Sequence, residues 1–279
     1  MFISPMLLHK RELIFDDPNC LYEPKIDGHR LLLSLQCGAV SLYTRHNNNV
    51  TSKYPELHSP PVDASSVILD GEVACVMPDG SVCFESVMRR FMTSPGKVYE
   101  VMDALPVHYF VFDILQLDGN DLRYKTLLER REILDEVLTN NRHFSRVIQV
   151  DGNGSNLFEV IKQRGLEGVV AKQRHSSYVS RRSHAWQKII NYTYAEVEVI
   201  GLRKSKFGWL VQYEGRTVGV VELAVPATHN KAVYGLMHKI AVGESGDFVR
   251  IQPIGIRVRF RNWTRAGMLR SPEFVEFLS

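Results

Sequence analysis

The chain has no apolar run near the roughly 20 consecutive residues that a membrane-spanning helix requires, so no such helix is predicted along its 279 residues. Cysteine is scarce. Cys20, Cys37, Cys75 and Cys83 form no C-x-x-C pair and fit no metal-ligand spacing, so they are expected to be reduced and structural. A signal-peptide pattern is also missing, because the short apolar stretch from Met1 to Leu8 comes before its charges, His9-Lys10-Arg11-Glu12. A cytoplasmic protein is the expectation. There are no repeats or low-complexity segments, and 44% apolar with 23% charged residues is a globular composition.

A strong excess of one charge sign is lacking too, at a net +3. The distribution is uneven, however. Residues 1–191 hold 22 Lys and Arg against 23 Asp and Glu, whereas residues 192–279 hold 12 against 8, a surplus of +4 that includes Arg203, Lys204 and Lys206. A basic surplus concentrated in the last third predicts a polyanion contact there.

The elements that the pattern does supply fall into two groups. Arg30 to Arg45 reads as two β-like runs around a Gly, a hairpin. Val67-Ile68-Leu69 and Tyr109 to Leu115 read as short buried strands. Thr126-Leu-Leu-Glu129 fits a capping box before a helix, and Asn156 to Arg164 reads as a helix closed by Gly165 that leads into the strand Val169-Val170-Ala171. After about Asn191 come short strands at Ala195–Gly201, Trp209–Tyr213, Thr217–Leu223 and Gly255–Phe260, with one helix at Asn230–Ile240. Such spacing suits a small β-barrel, and the boundary is expected near residue 192.

The strongest chemical signal is Glu23-Pro24-Lys25-Ile26-Asp27-Gly28-His29-Arg30, a K-x-D-G-x-R motif just before a strand. Lysine is a nucleophile only when part of it is deprotonated, which burial or cationic neighbours bring about. Lys25 and Arg30 flank a place where phosphate charge could be held. At average composition the four fixed residues recur by chance in roughly one chain in a few hundred, so the motif needs companions. These are Asp70-Gly71-Glu72, read as a turn at a strand end, Phe112-Asp113 within an apolar run, Glu167-Gly168-Val169-Val170-Ala171-Lys172, and Trp186-Gln187-Lys188-Ile189. Each is weak alone. Their joint order is specific.

In that order the motifs resemble the covalent nucleotidyltransferases, and within them the ATP-dependent DNA ligases, over nearly the whole chain. The stretches EPKIDGHR, LYTRHNN, ILDGEV, YFVFDIL, LEGVVAK and YVSRRSHAWQKI are most similar to small bacterial ligases and to ligase modules of bacterial end-joining proteins. The resemblance implies an α+β fold. Residues 1–191 would be an ATP-grasp-like nucleotidyltransferase domain of antiparallel sheets and helices, and residues 192–279 an OB-fold barrel. It implies an enzyme that seals 5′-phosphate/3′-OH nicks in duplex DNA as a monomer, using ATP and Mg²⁺ or Mn²⁺, through a lysyl-AMP and then a DNA-adenylate.

By the same resemblance Lys25 is the adenylylated lysine, Glu23 reads the adenine edge and Phe112 stacks on the base. Arg30 and Glu72 contact the ribose side, with Glu72 and Glu167 linked to the metal. Lys188 meets the α-phosphate, Lys172 lines the nucleotide site, and Arg45 grips the 5′-phosphate of the nick. The link Asn191 to Tyr194 is the expected hinge between steps. Two departures from the family stand out. Ile190 occupies the place of a usual second lysine, so Lys172 or Arg182 is expected to take over part of its charge. The last family motif is matched only loosely by Arg257-Val258-Arg259-Phe260-Arg261. Two other readings share much of this pattern: an RNA ligase or capping guanylyltransferase with the same lysine chemistry, and a catalytically silent DNA-binding module. The ligase-like wording of LYTRHNN and EGVVAK disfavours the first, and the intact set Lys25, Glu72, Glu167 and Lys188 disfavours the second.

Overall fold

The computed structural model describes residues 1–77 and 80–278, and the chain divides into two compact units, Met1–Asn191 and Tyr192–Ser279. Among the described residues no helix is long and apolar enough to cross a membrane.

The first unit begins with β1 (Leu7–Arg11), β2 (Cys20–Pro24), β3 (His29–Gln36), β4 (Ala39–Thr44) and β5 (Ser66–Cys75). It continues through α1 (Phe84–Met92), α2 (Val98–Val101), β6 (Val107–Leu117), β7 (Asn120–Asp121), α3 (Leu127–Val137), β8 (Phe144–Arg146) and β9 (Val150–Asp151). It closes with α4 (Gly154–Gln163), β10 (Gly168–Gln173) and β11 (Arg182–Ile190). One sheet has the order β1-β11-β10-β2-β9 and the other β4-β3-β5-β6-β7, with β8 beside β6. The sheets are mixed, which corrects the antiparallel expectation: β1 pairs β11 in parallel, and so does β8 with β6.

Period-two alternation gives each sheet two buried faces. On the second sheet, Leu31, Leu33, Leu69, Tyr109 and Val111 pack into one cluster, while Leu32, Ile68 and Leu115 turn the other way and meet Leu21 and Trp186 of the first sheet. Cys20, Tyr22, Val169, Ala171 and Ile189, on the far face of the first sheet, cover α4 through Leu157, Phe158 and Ile161. The two sheets thus face each other across Leu21, Leu32, Ile68, Leu115 and Trp186.

The predicted hairpin is present as β3 and β4, joined at Cys37 and Gly38 with φ of 48° and 79°. Positive φ at both turn positions matches the twist of the flanking strands. Thr126 caps α3 with its side chain on the Glu129 N–H while Glu129 reaches back, the capping box that the sequence predicts. The Asp70-Gly71-Glu72 turn is corrected, because these residues lie in mid-strand on β5.

The second unit contains β12 (Thr193–Arg203), β13 (Trp209–Tyr213), β14 (Arg216–Val221), α5 (Ala227–Gly235), α6 (Met237–Ile240), β15 (Ala241–Ser245), β16 (Phe248–Phe260) and β17 (Glu273–Phe277). The helical segment is two helices where one is predicted. Strand order is β14-β13-β12-β16-β15, with β17 also on β16. A parallel bridge from Leu223 to Glu273, with the Phe274 N–H on the Leu223 carbonyl at 3.0 Å, links the segment after β14 to β17. β12, β13, β14, β17 and β16 therefore follow one another around a core of Trp209, Val211, Ile256, Val258 and Phe260.

Candidate active site

Alternation along six strands sends the motif side chains into the cleft between the two sheets of the first unit. From the first sheet come Glu23 of β2, Lys172 of β10 and Lys188 of β11, on the same face as Leu21 and Trp186. From the second come Arg30 of β3, Asp70 and Glu72 of β5, and Phe112 of β6.

Lys25 lies one residue past β2. Its N–H donates to the Gly168 carbonyl at 2.8 Å, which fixes the backbone at the mouth of the cleft. Its Nζ donates to Glu167 Oε2 at 2.7 Å, an ion pair in which Lys25 is 18% and Glu167 2% exposed. This neighbourhood is more acidic than the sequence reading supposes: Glu72 also feels the charges of Lys25 and Asp27.

Glu23 is buried, with Oε2 2.7 Å from Lys172 Nζ and Oε1 3.7 Å from Arg131 Nη1. Oε1 is therefore a buried acceptor with no hydrogen-bond donor among the described residues. The ammonium of Lys172 sits 4.3 Å from the Phe112 ring centroid and 4.2 Å from that of Trp186. Burial lowers its pKa, and Glu23 opposes that shift.

Arg30 is fully engaged by the protein. Nε donates to Asp70 Oδ1 at 2.8 Å, Nη2 to Asp70 Oδ2 at 2.5 Å, and Nη1 to the Met6 carbonyl at 2.6 Å. The Tyr178 hydroxyl adds a bond to Asp70 Oδ2 at 2.6 Å. The guanidinium carbon lies 5.2 Å from the Phe112 centroid, so Arg30 supports the ring from beneath. A second buried fork, Arg130 on Asp113 at 2.7 and 2.8 Å, ties α3 to the strand that carries Phe112.

Lys188 is the centre of a positive region. Burial holds its ammonium below the ordinary lysine value, and Lys25, Arg182, Lys10 and Arg45 push it further in the same direction. Ile190 is buried on the same strand face. Of the cations proposed to replace its missing charge, Lys172 is held by Glu23, and Arg182 donates through Nη1 to the Leu8 carbonyl. Arg45 is exposed in the loop after β4, with Nη2 3.2 Å from His46 Nε2.

Asp70, Tyr178, Arg130 and Arg131 were not picked out as site residues from the sequence. An aspartate inside an apolar run, as at Asp113, is the one local sign of a buried ion pair. Nothing local announces Tyr178.

Glu72 and Glu167 both lie within the electrostatic reach of Lys25. One or two carboxylates beside substrate phosphates are the usual protein share of a Mg²⁺ site. The residues present therefore fit such an ion, although no group of three or more His, Cys, Asp or Glu is assembled for a metal among the described residues.

In the second unit five of the cations singled out from the sequence are matched by acids. Arg203 and Lys206 pair with Glu222, Lys204 with Glu244, Arg257 with Glu196 and Glu276, and Arg259 with Glu273.

Residues 5–189 match the family model of the ATP dependent DNA ligase domain. The chain is 38% identical over 276 residues to the SPbeta prophage-derived DNA ligase-like protein LigB of Bacillus subtilis, covering 98% of each. It is 33% identical over 205 residues to the multifunctional non-homologous end joining DNA repair protein LigD of Mycobacterium tuberculosis. That match takes in 72% of this chain and only 24% of the longer protein. In fold, it resembles a solved mycobacterial DNA ligase D complexed with ATP and MES, with a TM-score of 0.61 at 24% identity over 99% of this chain and 94% of that one. A family match spanning the whole cleft-bearing unit, and a relative matched end to end, show that the chain belongs to the ATP-dependent DNA ligases.

Proposed function

We propose that the protein seals 5′-phosphate/3′-OH nicks in duplex DNA and that Lys25 carries the nucleotide between steps. The observation that carries this reading is the ion pair of Lys25 with Glu167 in a cleft that also holds Phe112, Glu23 and Lys188. Lys25 Nζ attacks the α-phosphorus of ATP, the bond to the β-phosphate oxygen breaks, and pyrophosphate leaves. The ammonium proton must go first, and Glu167 Oε2, at 2.7 Å, is within reach to accept it. Lys188 and the cations around it offset charge that builds on the phosphates in a preformed site.

Glu72 and Glu167 would hold a divalent ion, Mg²⁺ or Mn²⁺, which supplies positive charge against the phosphate oxygens. The adenine would stack on Phe112, with its amino group donating to the open Oε1 of Glu23. Guanine presents an acceptor at that edge, so ATP is favoured over GTP. The engaged Arg30 acts here by supporting Phe112 and, through Asp70, the strand of Glu72.

In the later steps AMP passes to the 5′-phosphate, gripped by Arg45, and the 3′-OH displaces it, leaving Lys25 free again. The second unit is read as an OB fold that holds duplex DNA through phosphates, and its strand succession β12-β13-β14-β17-β16 supports that reading. Asn191 is held by the first unit, through its N–H and side chain on Glu167 and Leu166, and Tyr192 by the second, through Glu273. The hinge thus narrows to the 191–192 junction.

Incubation with labelled ATP or labelled GTP, followed by denaturation, tests the reading. The parent should keep label from ATP only, and Lys25→Ala should keep none. Retention of an AMP adduct by Lys25→Ala would exclude this nucleophile, and equal labelling by GTP would exclude the role of Glu23.

A further inference from the structure

Four cations besides Lys188 itself populate its surroundings, and they differ in what they can still do. Lys25 is the proposed nucleophile, Arg182 is spent on the Leu8 carbonyl, and Arg45 belongs to a loop of the opposite sheet. Lys10 stands apart. It lies on β1, the edge strand of the first sheet, directly opposite Lys188 in the parallel β1–β11 pair.

Residues opposite each other in neighbouring strands project from the same face. The packing fixes which face. Trp186, two residues before Lys188 on β11, packs into the cluster between the sheets, and Lys10 is paired with Lys188 beyond the register shift that separates Leu8 from His9. Lys10 and Lys188 therefore both rise on the cleft side, as neighbours. One acid beside it is Glu12, 3.4 Å from Lys10 Nζ, with exposures of 36% and 55%. An ion pair that wet is weak and readily exchanged for a phosphate.

We propose that Lys10 is a second phosphate-binding cation of the nucleotide site, supplying from the edge strand the charge that Ile190 does not supply on β11. This rests on the ligase reading above. Two ammonium groups side by side repel each other until an anion lies between them, so the pair favours the phosphates of bound ATP. The four-carbon stem of Lys10 lets its head follow that anion.

Single-turnover adenylylation at a series of ATP concentrations tests this. Lys10→Ala should raise the ATP concentration for half-maximal rate by about 10-fold, the loss of one hydrogen bond to a charged group. Lys10→Arg should restore most of it, and Lys10→Gln, which keeps most of the stem, should behave like Lys10→Ala. Thermal melting should be unchanged in all three. Parental ATP dependence in Lys10→Ala and Lys10→Gln overturns the inference. A parent that forms no adduct overturns the ligase reading instead.

Discussion

Burial pushes the Glu72 carboxyl from its ordinary value of 4.5 up to about 7; Lys25 and Arg30 pull it down, while Asp70 and Asp27 push it up. A carboxyl raised on folding contributes stability below its unfolded value and loses that contribution as pH rises through its folded value. Glu72→Gln cannot ionise, so it keeps the contribution. Thermal melts across the range from about 5 to about 8 should show Tm of the variant gaining on the parent as pH rises toward about 7 and the difference levelling off above it. A difference that stays flat across this range refutes the burial of the carboxylate.

Lys25, Glu23, Glu72, Phe112, Glu167, Lys172 and Lys188 could be put forward as candidates from the sequence because each belongs to a short local pattern. That Lys172 meets Glu23, and that Tyr178 meets Asp70 across 108 residues, could not be read there. Such contacts depend on how two sheets stack, and residue spacing carries no record of that.

β5 shows the same limit in a strand. Glycine inside Asp70-Gly71-Glu72 reads as a turn, yet the strand runs on for ten residues, from Ser66 to Cys75. Gly71 is there because Tyr109 crosses it: a Cβ would lie 2.7 Å from the ring and 2.6 Å from the Phe110 carbonyl oxygen. The Tyr109 hydroxyl then reaches the carbonyls of Leu31 and Leu69 at 2.9 and 3.2 Å, pinning β6 to its neighbours. Gly71→Ala should cost about 1–3 kcal/mol, the usual result of overfilling a packed site. Chemical denaturation gives the number, and a midpoint equal to the parent's would mean that β5 and β6 separate at no cost. Helix α3 was easier to read, because its cap, Thr126 with Glu129, is local. By contrast, α1 (Phe84–Met92) and α2 (Val98–Val101) were not foreseen and start at Cys83 and Lys97 without a side-chain cap bond.

Each of the two units has its own apolar clusters, with Leu31 to Phe144 in one and Val197 to Phe274 in the other. A fragment of residues 1–191 should therefore melt cooperatively, while losing nick sealing and salt-sensitive affinity for nicked duplex. Near-UV circular dichroism, a gel-based sealing assay and binding at several salt concentrations check the three parts. Sealing at the parental rate by the fragment would show that DNA is held without residues 192–279. The +4 surplus of that region is what remains after its acids are subtracted, while Arg203, Lys204 and Lys206 each face one of those acids.

The parallel pairing of β1 with β11 also bears on how the protein is made. β1 precedes every other strand of its sheet along the chain and is completed by a strand ending at Ile190, so the first sheet stays open at that edge until nearly the whole first unit has been synthesised. Lys10 and Lys25 then meet Glu167 and Lys188 in one late event, and the proposed nucleotide site of a nascent chain is assembled only when that sheet has closed.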